Sequence, residues 1–225
     1  MRVVALEEHF TVPALVRRID PGAISRRGFR PRKAPANGPN PLELLPDIGE
    51  RRLESMDEAG ITVQVLSNSG PGPDLVPGPD GVAMAREMND HLATAVARHP
   101  DRLAGFAALP MQRPDDCADE LVRAVKDLRF VGALINGTTE GRFLDHPSYD
   151  GLLTAAVELD VPIYIHPHSL PGSTTGLKVR TMALIARRSA RSVKYRTGAG
   201  IVRERPKPQA PRPSRRLPYY CSQEE

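Results

Sequence analysis

The sequence predicts an α/β fold: a partial (β/α)8 TIM barrel of about five strands, followed by an irregular basic C-terminal tail. Three observations carry this. Short β-rich runs alternate with helical patterns through the first 171 residues, the signature of βαβ units and a parallel sheet. Polar residues fall at or just past the strand ends all along that stretch (Glu7, His9, Asn68, Asn136, His166), as in barrels, which gather their chemistry at the C-terminal face. The composition then changes abruptly near Pro171 and Gly172.

The strands read as Val3 to Leu6, Val63 to Leu66, Leu103 to Leu109, Val131 to Ile135 and Val161 to Ile165. A long irregular, proline-rich stretch, Thr11 to Pro46, leaves the first strand and is either an entrance loop or a floppy insertion. The first helix, Arg51 to Ala59, puts Leu53 and Met56 on one face and stops at Gly60. The second, Val82 to Arg98, spaces Ala85, Met88, Leu92 and Val96 at helical intervals and ends before Pro100. Pro114 opens the third, whose buried face is Leu121, Val125 and Leu128, because the missing N–H of proline does no harm in a first turn. In the fourth, Tyr149, Leu152, Leu153, Ala156 and Val157 form an apolar stripe that ends near Asp160. Cys117 sits inside an amphipathic helix as a core or boundary residue.

The composition excludes several classes of function. Aromatics make up 4% of the 225 residues and there is no Trp, which argues against a nucleic-acid module built on base stacking. Two distant cysteines form neither a disulfide framework nor a zinc ribbon, and a reducing, cytoplasmic setting follows. No apolar run is long enough to span a bilayer, and Glu7 and Glu8 stand where a signal peptide would need its apolar region. The net charge of +4 is divided unevenly. Residues 172–225 carry 13 Lys and Arg against 3 acidic residues, so residues 1–171 are net −6 and the tail net +10. The basic pI therefore describes the tail, and no specific nucleic-acid or membrane partner is expected for residues 1–171.

Glu7 and His9 lie two apart at a strand end, so their side chains share a face and can converge on one ion. Carboxylate and imidazole suit a divalent metal, Zn or Mn. A lone Glu-x-His fits a surface or capping pair as well. His166 adds weight to the metal reading, since it closes the apolar strand Val161-Pro162-Ile163-Tyr164-Ile165 at a position where a polar residue suits a ligating or charged role. His91 and His99 read as solvated, His146 as a helix-entry residue, and Asn68 and Asn136 as turn formers or substrate contacts. His168, two beyond His166, either lines the mouth to meet a substrate carboxylate or lies on the outer loop.

Four motifs in order, Val4-Ala5-Leu6-Glu7-Glu8-His9-Phe10, Arg98-His99-Pro100-Asp101-Arg102-Leu103-Ala104-Gly105-Phe106-Ala107-Ala108-Leu109-Pro110, Gly132-Ala133-Leu134-Ile135-Asn136-Gly137 and Leu159-Asp160-Val161-Pro162-Ile163-Tyr164-Ile165-His166-Pro167-His168, resemble the amidohydrolase-related proteins. The branch they resemble is the metal-dependent, non-oxidative aromatic acid decarboxylases, typified by γ-resorcylate and 2,3-dihydroxybenzoate decarboxylases, in a group that also holds aminocarboxymuconate semialdehyde decarboxylase. The resemblance covers residues 1–171. It implies metal ligands at Glu7, His9 and His166, a small aromatic carboxylic acid as substrate, and carboxy-lyase activity; Asn136 and His168, by their positions at the strand ends, are the candidate substrate contacts. It also implies an Asp after the last strand that delivers a proton, and a His after the sixth.

Neither residue type occurs after His168. The resemblance together with that absence predicts a truncated barrel, weak or absent metal binding and no turnover. Residues 172–225 read as a Pro- and Arg-rich tract, disordered or translated out of frame. The alternatives are a metal-dependent hydrolase of the same superfamily, using the same ligands, and a non-catalytic remnant whose tail binds polyanions or lays Leu177 to Ala190 on a membrane surface as a helix. A half barrel also leaves apolar edges that a homo-oligomer would cover.

Overall fold

The computed structural model describes residues 2–29, 40–68 and 70–166, and beyond these only the backbone of three short strands, Leu184–Ile185, Tyr195–Thr197 and Gly200–Ile201. The chain runs β1 (Val4–Phe10), α1 (Pro13–Val16), α2 (Pro21–Arg26), α3 (Pro41–Leu44), α4 (Glu50–Glu58), β2 (Val63–Asn68), a 3-10 turn at Pro73–Leu75, α5 (Gly78–Arg98), β3 (Leu103–Gly105), β4 (Ala107–Ala108), α6 (Pro114–Lys126), β5 (Ala133–Asn136), a second 3-10 turn at Pro147–Tyr149, α7 (Asp150–Glu158) and β6 (Ile163–His166).

The strands pair in parallel, each with the next in sequence: β1 with β2, β2 with β3, β4 with β5, and β5 with β6. β3 and β4 are one strand of the barrel that changes neighbour at Phe106. The Phe106 N–H donates to the Leu66 carbonyl (2.8 Å), and the next N–H, of Ala107, donates to the Gly132 carbonyl (2.8 Å). Sequential neighbours all in parallel are the wall of a (β/α) barrel. Of the short strands, β7 (Leu184–Ile185) runs antiparallel to β6, β8 (Tyr195–Thr197) parallel to β1, and β9 (Gly200–Ile201) antiparallel to β8.

Two hydrophobic layers follow from strand alternation. Outside the sheet, Leu66, Leu103, Ala107 and Ile163 pack against Met84, Met88, Leu92, Cys117, Leu121 and Leu152 from the helices. Inside, Val65, Phe106, Leu134 and Tyr164 form a second cluster against Val4, Leu6 and Ala104, a layer fed by every strand of the wall.

The free edge of β4 is capped by a side chain. Asn89 of α5 accepts from the Ala108 N–H (2.9 Å) and donates to its carbonyl (3.0 Å), taking the place of a neighbouring strand. Its amide also donates to Glu120 (2.7 Å). The Glu120 side chain is fully buried and held by Arg123 and Arg86, so its charge is paired.

Several expectations need correction. β1 extends through Phe10 and β2 through Asn68, because their ladder continues as His9↔Ser67 and Phe10↔Asn68. Glu7 and His9 therefore lie within the strand and not past it. The stretch Thr11 to Pro46 contains three short helices, each opening on a proline, where the lost N–H costs nothing. Val157 is 77% exposed, and Ala155 takes its place on the buried face of α7. A helix from Leu177 to Ala190 is not supported at Leu184–Ile185, which is extended; the rest of that stretch lies outside the described residues. Among the described residues, no helix is long and apolar enough to cross a membrane.

Candidate metal centre

The placement of Glu7 and His9 depends on a fault in the first strand. In the β1–β2 ladder Ala5 pairs with Gln64 and Glu8 with Leu66, so Leu6 and Glu7 together face the single residue Val65. This is a β-bulge, and Glu7 sits in it at φ 63°, a left-handed conformation that non-glycine residues seldom adopt. The extra residue inverts the alternation. Before the bulge, Val4 and Leu6 pack with the inner cluster; after it, Phe10 joins the outer one and Glu8 bonds Gln64 (3.0 Å). Glu7 and His9 thus fall on the inner side. The sequence expectation of a shared face holds, but simple counting from Val4 and Leu6 would have put both residues outside.

His166, the last residue of β6, meets them there. Its Nε2 lies 3.7 Å from Glu7 Oε1, and its ring packs edge-on to His9 with centroids 5.4 Å apart. The Glu7 and His166 side chains are 29% and 27% exposed, so the site is partly sheltered yet open to solvent. The fold therefore brings together the three predicted ligands from opposite edges of the wall. They converge pairwise: among the described residues, no group of three or more His, Cys, Asp or Glu is arranged to hold a metal ion.

Neighbouring groups orient each donor. His9 Nδ1 is 3.1 Å from Ser67 Oγ, one strand away. Tyr164 hydrogen-bonds Glu7, and burial, followed by the Glu7 charge, pushes its phenol well above the ordinary value, so the hydroxyl stays protonated. Arg52 of α4 donates to the His9 carbonyl (2.8 Å), to the Asp47 carbonyl (2.7 Å) and to Gln64 (3.2 Å), fastening the end of β1 to the helix layer. Sequence reasoning missed these partners. For Ser67 the signal was present, since it keeps the alternation of Val63 and Val65 and so shares their face.

Asn136 ends β5 in register with His166, beside the predicted ligands. A small cleft lined by Asn68, Pro73, Asp74, Ala108, Leu134 and Asn136 opens at these strand ends. Asn68 Oδ1 is buried without a hydrogen-bond partner among the described residues. Arg27, just past α2, reaches the same place. It pairs with Asp74 at 3.6 Å and donates to the Asn136 carbonyl, with both charged side chains about nine-tenths buried. His168 lies outside the described residues. Of the other histidines, His91 is exposed and stacks on Phe10, His99 approaches Glu50 at 3.9 Å, and His146 caps the turn at Pro147 by accepting from the Ser148 N–H.

Comparison with known proteins agrees with this architecture. The sequence pattern of the amidohydrolase family matches residues 38–193. This chain belongs to the amidohydrolase family. Among its relatives, γ-resorcylate decarboxylase from Rhizobium radiobacter is 40% identical over 176 residues, covering 74% of this chain and 50% of that protein. The solved structure of 2,6-dihydroxybenzoate decarboxylase from Rhizobium superposes with a TM-score of 0.62 at 36% identity, covering 78% of this chain and 53% of the other. That of 5-carboxyvanillate decarboxylase from Novosphingobium aromaticivorans, complexed with manganese and 4-hydroxy-3-methoxy-5-nitrobenzoic acid, gives 0.69 at 34% identity, with 77% and 52% covered. The chain spans about half the length of the curated relatives it matches.

Proposed function

We propose that the chain carries the first half of the catalytic centre of a metal-dependent carboxy-lyase acting on a hydroxylated aromatic acid. Glu7, His9 and His166 are its share of the ligands for Zn or Mn, and Asn136 and His168 its share of the substrate contacts. The observation that carries this reading is the convergence of Glu7, His9 and His166 on the inner side of the strand ends, achieved through the bulge at Glu7. The donor set of one carboxylate and two imidazoles fits a borderline divalent ion. The aromatic acid decarboxylases among the relatives favour a lyase over a hydrolase built on the same ligands.

When bound, the ion supplies Lewis-acid stabilisation of negative charge on the substrate. The rest falls to side chains. Ser67 orients the His9 ring, as partners of metal-bound histidines do. Tyr164 holds one oxygen of Glu7. Proton delivery to the ring carbon that loses carbon dioxide needs an acid at the site. The 225 residues hold no Asp after Asp160 and no His after His168. This chain by itself is therefore expected to hold metal weakly and not to turn over.

Equilibrium dialysis of the full chain against Mn and Zn, with carbon dioxide release measured from 2,6- and 2,3-dihydroxybenzoate, tests both statements. The expected result is one weakly held ion per chain, lost in Glu7→Gln and in His166→Ala, and no gas. An ion retained equally by both variants would remove these residues from the centre. Sustained release by the wild-type chain would show that no later acid is needed.

A further inference from the structure

The segment from Asp20 to Phe29 crosses the mouth of the wall, tied there by Ile24, Arg27 and Phe29. Asp20 caps α2 by accepting from the Gly22 and Ala23 N–H groups (3.0 Å each), and Ile24 joins the outer core. Arg27 then spans two strand-end elements, pairing with Asp74 in the turn after β2 and donating to the carbonyl of Asn136 at the end of β5. The Phe29 ring fills the space above Gly70, where a Cβ would lie 2.5 Å from the ring edge, so only glycine admits it. A guanidinium this buried is costly unless its charge is paired, and both partners here come from the face that carries the candidate ligands. Asn136 is paired in register with His166.

We propose that Arg27 is a positioning residue: with Asp74 as counter-ion, it docks the segment Asp20–Phe29 onto the turn after β2 and the end of β5, and so forms a wall over the strand ends next to the cleft and His166. A Lys at this position would keep the charge opposite Asp74. It would lack the planar fork that serves two acceptors in different directions. The inference rests on the proposed function only in taking the cleft for a substrate site.

The test needs neither metal nor turnover. The full-length wild type, Arg27→Ala, Arg27→Lys and Asp74→Asn are treated with diethyl pyrocarbonate, and modification of each histidine is followed by peptide mass spectrometry alongside amide exchange of residues 20–29 and of α6. In Arg27→Ala, His166 modification and exchange in residues 20–29 are expected to accelerate by about tenfold or more, the effect of losing one charge-assisted hydrogen bond on a local opening equilibrium. His91, His146 and α6 stay at wild-type rates. Arg27→Lys and Asp74→Asn fall between the two. Wild-type rates at His166 and in residues 20–29 of Arg27→Ala overturn the proposal. If Arg27→Ala unfolds and all histidines accelerate together, Arg27→Lys decides: acceleration confined to His166 and residues 20–29 supports the wall, and a uniform or absent change overturns it. A chain that binds no metal but shows the confined effect keeps the wall and loses only the catalytic reading.

Discussion

Replacing Asn89 by Ala removes a side chain that stands in for a strand. Three buried hydrogen bonds go at once: the acceptor for the Ala108 N–H, the donor to its carbonyl and the donor to Glu120. Two neutral bonds at about 1 kcal/mol each and one to a carboxylate at about 1.5–3 kcal/mol give a loss of roughly 4 kcal/mol. Arg123 and Arg86 still neutralise Glu120, so no unpaired charge adds to this. Against a typical domain stability of about 5–15 kcal/mol, the loss is large. Urea unfolding followed by far-ultraviolet circular dichroism should show the midpoint falling by about 2 M at an unchanged slope of about 2 kcal/mol/M. Asn89→Asp, which sets a second carboxylate against Glu120, should cost at least as much at neutral pH. A loss below about 1 kcal/mol in Asn89→Ala would mean that water satisfies the edge of β4, and the account of that edge would be wrong.

Ser67→Ala removes a hydrogen-bond partner of the His9 ring and should weaken Mn affinity by about 10–100-fold in equilibrium dialysis without changing the urea midpoint, the usual outcome when a ligand loses an orienting partner. Gly132→Ala places a methyl group 2.3 Å from the Pro162 carbonyl at φ 151°, and should lower stability by at least about 1–3 kcal/mol in the same unfolding assay. Asp20 has its carboxyl pKa lowered from 3.8 by the Gly22 and Ala23 N–H groups, so its capping contribution is present above 3.8 and lost as the pH falls through the lowered folded value. Exchange in residues 21–29 should then rise in acid for the wild type, an added pH dependence that Asp20→Asn lacks. Burial pushes the Cys117 thiol up to about 12, and iodoacetamide at pH of about 8 should label it only after unfolding.

The wall and its helices were legible because both rest on local periodicity. Met88, Leu92 and Val96 repeat at the spacing of a helix buried on one side, and Ile163 and Tyr164 are as buried as an apolar strand requires. Glu7, His9 and His166 stood out in the sequence because a polar side chain at the end of an apolar strand loses water when the strand packs, and that loss is tolerated where the side chain has a partner or a ligand to hold. What stayed hidden depends on distance or on a departure from regularity. The salt bridge of Arg27 with Asp74 joins residues far apart in the chain, and Arg27 meets Asn136 across 109 residues, with no spacing rule to connect them. Val157 fits a helical stripe as well as Ala155 does, and only the packing partner of α7 decides between them. The bulge leaves no mark in composition. It shows only as a conflict: Val4 and Leu6 claim the inner face, while Glu7 and His9, one step out of phase, lie there as well.

That conflict gives β1 one residue of slack, and the slack lies on the apolar side of the joint. Removing Leu6 would leave Glu7 alone opposite Val65 in a regular ladder, with Glu8 still across from Leu66 and His9 from Ser67. Glu7 and His9 would keep the inner face, and only the filler beneath them would go. Removing Glu8 instead would leave Leu6 alone opposite Val65, bring Glu7 opposite Leu66 and turn its carboxylate toward the helices, with His9 still across from Ser67. The two shortened chains would differ in a single side chain and in nothing else of length, yet metal retention would separate them: the first keeps all three donors at the mouth, the second keeps two.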